Sequence, residues 1–586
     1  MTAVLGVSCY FHDAAAALVR DGKVVAAVEE ERLTRRKHDS SFPTEAIRHC
    51  LQAAGMHGSE LDLVVFYEQP LVKLGRTLAT GVATLPRSLP VLRRSLDRFR
   101  QERMWIRSTL VAELGIDPSR IRFCDHHLAH AASAVFASPF GEMATLTVDG
   151  VGEWATASIG HASTDLLAGG RNALHLEAAM EFPHSLGLFY SALTQYLGFE
   201  VNEGEFKVMG LAAYGQPRYR DALAKVCRIA ADGSFSLDMS YFGFHLNDQQ
   251  AFSDKLVSLL GRPPRDAARP MQIDPVTSVM ATEEDRHHAD VAASVQALCE
   301  DAVVAMAQAA YRAHPTPNLA MAGGVALNGL ANTAVLERTP FENLYIPPAP
   351  GDSGAALGAA LHGYHVELGR PREYVGHDAY LGPQYSDSEI ASTLANWGIE
   401  SDEVDDELLP VLVADEIEAG HVVGWHQGRS EWGPRALGHR SILADPRPVS
   451  MKARINEKVK FREQFRPFAP MAAVRAAADL CSGPVEQDPV RFMLMVLPVK
   501  PESEAELGAA SHFRSARLQT VHPGQDELIE RLLDEVAERS GTPVVLNTSF
   551  NLKGEPMVET PANALSTFMR SGLDTLVMGN HVVKKS

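Results

Sequence analysis

The segment DHHLAHAAS (125–133) places three histidines within five residues. Residues four apart on a helix share a face, so His126 and His130 can grip one cation while His127 points elsewhere; Asp125 can cap the helix start. Two histidines at this spacing are also compatible with an ordinary helix. Asp149, ending a strand in TVDGVG, and Asp352, preceding a helix in PGDSG, strengthen the metal reading. Both occupy strand or helix ends, where α/β folds collect ligand-binding groups. Two imidazoles and two carboxylates form a mixed N/O set suited to Fe(II), Mn(II) or Zn(II).

Two glycine turns, AGGVALNG (322–329) and GDSGAALG (351–358), present backbone N–H groups at helix starts, which accept phosphate. With DGVGE (149–153) they point to a nucleotide cleft. His12-Asp13, at the first hairpin turn, lies at the mouth of that cleft. An imidazole there can act as a general base, and a histidine simply packed on the turn fits as well.

The C-terminal part concentrates positive charge. GRSEWGPRALGHRS carries Arg429, Arg435 and Arg440, and MKARINEKVKFREQFRPFAP carries Lys452, Arg454, Lys458, Lys460, Arg462 and Arg466 against two glutamates. Guanidinium groups grip phosphates in pairs of hydrogen bonds, so the cluster suits a nucleotide or an acyl phosphate. LNTSFNLKGEP adds Asn547, Thr548 and Ser549 as donors at a strand end. A solvated basic face is the alternative, but the closing RPFAP suits a pocket wall better.

Something must position these groups. At 586 residues the chain exceeds one hydrophobic core, and 46% hydrophobic with 22% charged residues describes a soluble globular protein. A net charge of −19 argues against a nucleic-acid partner. There is no membrane-length apolar run and no signal-like N-terminus, and the six cysteines form no CxxC pair; a reducing cytoplasm is expected. AVLGVS and a hairpin turning at Asp21-Gly22 open the chain, and MATLTVDGVGEWATASIG has a similar layout. With the strand–glycine–helix units, this predicts a duplicated α/β scaffold around a cleft. Residues 70–120 read as a solvated helical insertion without chemistry. The periodic signal breaks in 366–386, where a boundary is placed, and an α/β or α+β domain follows.

HHLAHAAS, VDGVGE, KVMGLAAYG, AGGVALN, PGDSGAALGAA, GPRALGHRS, FREQFRPFAP and LNTSFNLKGEP occur in an order that resembles the NodU/CmcH-type O-carbamoyltransferases of nodulation-factor and antibiotic biosynthesis. The resemblance runs nearly end to end. It implies a duplicated actin-like, sugar-kinase-like domain over 1–368, similar to the tRNA threonylcarbamoylation protein, then a linker over 369–386 and a YrdC-like α/β domain over 387–586. It further implies that the second domain makes carbamoyl-adenylate from carbamoyl phosphate and ATP, with Mg2+, at Arg429, Arg435, Lys460, Arg466, Asn547 and Ser549. The first domain would pass the carbamoyl group to a hydroxyl of a small molecule. In that reading His126, His130, Asp149 and Asp352 hold Fe(II) or another divalent metal, and His12 is the base. Lys37, Gly150, Gly152, Glu153, Gly323, Gly324 and Asn328 meet the adenylate, while Asp13 and Lys207 meet the acceptor. A homodimer is the base-rate expectation. A tRNA threonylcarbamoyltransferase, a small-molecule kinase of the same superfold and a non-catalytic nucleotide sensor are the competing readings.

Overall fold

The computed structural model describes residues 1–164, 172–247, 249–274 and 279–585. β1 (Ala3–Ser8), β2 (Ala15–Arg20) and β3 (Lys23–Glu29) form an antiparallel meander. Asp21 and Gly22 both take positive φ, 47° and 80°, as a two-residue type I′ turn demands. β4 (Leu63–Phe66) and β5 (Ile121–Phe123) extend the sheet in parallel, giving the order β3-β2-β1-β4-β5.

The same plan recurs. β6 (Glu142–Val148), β7 (Ala155–Ser163) and β8 (Ala173–Glu181) form a second meander. β9 (Asn318–Ala322) and β10 (Asn343–Tyr345) run parallel to β6, in the order β8-β7-β6-β9-β10. Strand order and sense match one sheet to the other, so the duplication expected from the two hairpins is present in the topology.

Two helices sit between these sheets, His126–Val135 and Asp352–His362, and their close approach depends on glycine. A Cβ on Gly358 would lie 1.8 Å from the Ala129 carbonyl oxygen, and one on Gly6 of β1 would lie 1.9 Å from that of Ala356. Asp352, first in its helix, is thereby held against the histidine helix.

The C-terminal part builds an eight-stranded mixed sheet. Its centre pairs Val423–His426 with Arg440–Ala444, and the latter with Val544–Ser549. Residues 369–386 contain no helix or strand, yet they are no free tether. Arg372 is fully buried and donates to the Phe136 and Phe140 carbonyls, and Leu381 O accepts from Ala27 N of β3. The segment is a packed strap between the two parts.

The helical region 70–120 also departs from expectation. Leu89–Gln101 buries no residue, as a solvated helix should. Lys73 and Arg103, however, converge on Glu68, fully buried just beyond β4, at 2.5 and 2.7 Å. A buried carboxylate needs paired cations, and the helix Pro70–Ala83 and the short helical turn Arg103–Trp105 supply them. Among the described residues no helix is long and apolar enough to cross a membrane. All six cysteines are buried and unpaired.

Candidate active site

The helix His126–Val135 starts under Glu153, not under Asp125. Asp125 occupies the cap position, but its side chain makes no cap bond. The Glu153 carboxylate instead accepts from the backbone N–H of His126, at 3.2 Å to each oxygen, and of Gln69, at 2.6 Å. Glu153, expected at the nucleotide, thus fixes where the histidine helix begins. Gly152 clears the same corner, since a Cβ there would come within 2.9 Å of the His126 side chain.

His126 and His130 turn the same way, with their Nε2 atoms 3.1 Å apart. Asp149 Oδ2 lies 3.2 Å from His126 Nε2 and 3.9 Å from His130 Nε2; Asp352 Oδ1 lies 3.6 and 3.4 Å from them. His127 points elsewhere and bonds Thr147 Oγ1 at 2.6 Å. Four donors at bond lengths near 2.1 Å sit about 3.4 Å from one another around a tetrahedral ion, so these separations fit one cation. Both Asp352 oxygens are buried without a hydrogen-bond partner. An orphaned buried carboxylate is costly unless a cation neutralises it, and the set fits a divalent metal. The second oxygen of Asp149 is oriented by Gly324 N–H at 2.8 Å, so the 322–329 turn positions a ligand of this cluster. Gly323 permits the turn, at φ 93°, with its α-carbon packed against the Val148 backbone. Gly150 closes the cluster from the Asp149 side, its carbonyl accepting from Ser185 Oγ at 2.6 Å.

His12 reaches the cluster from the first sheet, with Nε2 4.0 Å from Asp352 Oδ2. Its Nδ1–H donates to Asp13 Oδ2 at 3.0 Å, and His38 donates to the other Asp13 oxygen at 2.8 Å. Asp13, expected at the acceptor, is therefore the group that orients His12. Burial opposes a charge on His12, but Asp352, Asp13 and Asp149 outweigh it and raise its pKa to about 9. His12 and His38 hold Asp13, and His126 and His130 hold Asp149, well below the usual carboxylate range against their own burial.

The basic cluster lies at the seam between the two parts. Lys460 is buried and donates to Ser549 O and Oγ and to Asn551 O and Oδ1, at 2.6 to 3.1 Å. Burial first, then Arg462, Arg466 and Lys37, push its pKa well down. Arg435 is likewise depressed by burial, Arg517 and Arg466, and Arg517 falls to about 10 by burial and Arg466. Among the described residues neither the Arg435 nor the Arg517 guanidinium has a hydrogen bond or ion pair, and cations so placed call for an anion. Asn547 sits beside them, donating to Ala436 O and Gln519 Oε1.

From the other side, Lys37 pairs with Glu203, Lys207 approaches Glu463 at 3.6 Å, and Arg466 stacks over Phe206 at 4.6 Å. Lys37 and Lys207 therefore come close to the C-terminal cations, Lys37 to Lys460 and Lys207 to Arg466.

Two expected contacts have other work. Arg429 donates to the carbonyls of Gly382, Val25 and Leu381, docking the strap and β3 onto the C-terminal part. Asn328 caps the helix Gly329–Arg338 and exchanges two amide hydrogen bonds with Gln296, which uses up its side chain. Arg517 was not singled out by sequence; RSARLQT carries no motif, and only its arginine content marks it.

A carbamoyltransferase N-terminal model matches residues 3–361, and a carbamoyltransferase C-terminal model matches residues 414–585. The chain belongs to the carbamoyltransferase family. Uncharacterized protein sll1178 of Synechocystis is 42% identical to this carbamoyltransferase, covering 100% of the chain and 97% of the relative. Nodulation protein NolNO of Sinorhizobium fredii is 37% identical over 98% of the chain and 79% of its own length. Nodulation protein U of Rhizobium tropici is 29% identical over 93% and 90%.

Proposed function

We propose that this carbamoyltransferase works in two steps, at the two clusters just described. Carbamoyl phosphate and ATP meet at Arg435, Lys460, Arg466 and Arg517. Hydrolysis of carbamoyl phosphate yields carbamate and phosphate; a carbamate oxygen then attacks the α-phosphorus of ATP and pyrophosphate leaves. The product is carbamoyl-adenylate. The observation that carries this reading is the convergence of Arg435 and Arg517, guanidinium groups without a partner among the described residues, on Arg466, whose charge also reaches Lys460. Their positive field offsets the repulsion between two polyanions. An eight-stranded C-terminal sheet bearing this cluster is the basis for reading that part as YrdC-like, and the duplicated sheets for reading the first as actin-like.

Carbamoyl transfer belongs to the N-terminal cluster. A hydroxyl of a small molecule attacks the carbamoyl carbon and AMP departs. Asp13 holds one His12 proton on Nδ1; a cation on Asp149 and Asp352 would offset two of the charges that raise the His12 pKa, and so leave Nε2 bare to take the hydroxyl proton. A divalent ion held by His126, His130, Asp149 and Asp352 would supply positive charge for the oxygen or phosphate on which charge develops. The donor set admits Fe(II), Mn(II) and Zn(II) alike. A kinase of the same superfold would leave the C-terminal cations without a task, and the net charge of −19 disfavours tRNA as acceptor.

Pyrophosphate release from purified protein supplied with ATP and carbamoyl phosphate tests the reading. Release that requires carbamoyl phosphate and disappears in Arg435→Ala and Lys460→Ala is the expected result. Its absence in well-folded protein would overturn the two-step scheme.

A further inference from the structure

The outer edge of the second sheet carries a histidine cluster that the reaction above does not use. His161 of β7 stands directly opposite His175 of β8, and Glu177 follows two residues later on the same strand. Period-two alternation puts His175 and Glu177 on one face. The long helix Glu283–Ala313 ends at His314, whose Nε2 lies 2.6 Å from Glu177 Oε2. His161 Nδ1 lies 3.0 Å from the other Glu177 oxygen. The His161 and His314 ring centroids are 4.2 Å apart, and the His175 ring is 5.3 Å from that of His161.

We propose that His161, Glu177 and His314 bind a divalent transition-metal ion, Zn2+ or a close competitor such as Ni2+ or Cu2+, with His175 completing the set. One ligand atom from each of the three lies within 4.8 Å of the others, so a small inward movement brings them to bonding distance. The side chains are 37%, 41% and 25% exposed, which leaves an entry path and makes that movement cheap. Neutral imidazoles and one carboxylate form a borderline donor set, as in known zinc sites. Each imidazole needs only the tautomer that frees the facing nitrogen. A simple surface ion pair adds little to stability and gives no reason for two histidines to converge on one carboxylate. A metal there staples the β7–β8 hairpin to the C-terminal end of the long helix, tying strand and helix segments more than a hundred residues apart in sequence.

Zn2+ titration of the full chain after chelator dialysis, followed by calorimetry and by Co2+ substitution spectra, tests this. Wild type is expected to take two equivalents. His314→Ala, and separately His161→Ala, should each remove one, with affinity at that site falling at least about 100-fold, and His175→Ala should weaken it by about tenfold. A His126→Ala/His130→Ala background should retain this site alone. Pyrophosphate release should be unchanged in His314→Ala, so the result stands apart from the reading of the catalytic clusters. Zn2+ stoichiometry and Co2+ spectra unaltered by both His161→Ala and His314→Ala would overturn the proposal.

Discussion

The Nε2 atoms of His126 and His130 stand 3.1 Å apart, and Asp352 Oδ1 lies within 3.6 Å of both. At that separation the two nitrogens cannot both carry protons aimed at each other, and with both bare they would serve together as ligands to one cation. Losing a supporting contact to a metal ligand costs about 10–100-fold in affinity, and losing a ligand costs at least the upper end of that range. His126→Ala and His130→Ala should each lose one equivalent of divalent metal, that of this cluster, read as metal content after dialysis. Pyrophosphate release should persist in both.

His12→Asn should lower carbamoyl transfer by about 10²–10⁴-fold while leaving pyrophosphate release intact. Asp13→Asn should have a smaller effect of the same kind, because it disturbs the tautomer of His12 and spares the imidazole. Rapid-quench assay of the two half-reactions separates them. Equal loss in both half-reactions would contradict the assignment.

The seam cations repel one another, so an anion should stabilise the fold. Inorganic phosphate should raise Tm, with the gain reaching about 2.7 kcal/mol at a hundredfold excess over Kd. Arg435→Ala and Arg517→Ala should abolish most of that gain. Because each removes a repelled, unpartnered charge, neither should lower Tm in phosphate-free buffer, and calorimetric scans check both expectations.

Several histidines are neutral because they are buried. His512 is lowered to about 4, by burial and then Lys452; His365 is lowered to about 4, chiefly by burial. Unfolded histidine titrates near 6.5. Between those values the unfolded chain binds more protons than the folded one, so stability is full above about 6.5 and falls as pH drops toward 4. Urea midpoints across this window should fall in wild type and fall less steeply in His365→Gln.

Gly358→Ala should destabilise by about 3 kcal/mol or prevent folding, since its Cβ would meet the Ala129 carbonyl oxygen at 1.8 Å. Gly369→Ala makes a control with no close neighbour, strained only by its φ of 60°. Circular dichroism melts of the two should differ by several degrees.

Local chemistry was readable in the sequence where it is local in the fold. The His126/His130 pair follows from helical spacing, and the Asp21-Gly22 hairpin from its turn residues. Long-range tasks left no such pattern. Glu153 caps a helix that starts 27 positions before it in sequence, and Glu68 draws one cation from a helix and one from a short helical turn. Arg429 lies in an arginine-rich loop like Arg435, and only the packing of β3 separates their roles.

The joint between the two parts is made largely through main-chain acceptors. Arg32 donates to Gly433 O, Arg35 to Met557 O and Pro556 O, Arg429 to Val25 O, and His512 to Gly210 O. A carbonyl is present whatever the residue, so receivers such as Val25 and Met557 can change side chains without losing these bonds, whereas Gly433, at φ 107° with the Pro348 carbonyl against it, cannot. The donors have no such freedom: each arginine removed leaves a hole and a set of unsatisfied carbonyls. Divergence at this joint should therefore be one-sided, with the donating residues and Gly433 held fixed and the other receivers drifting. For the same reason, either part expressed alone would carry guanidinium groups shaped for a surface that is no longer there.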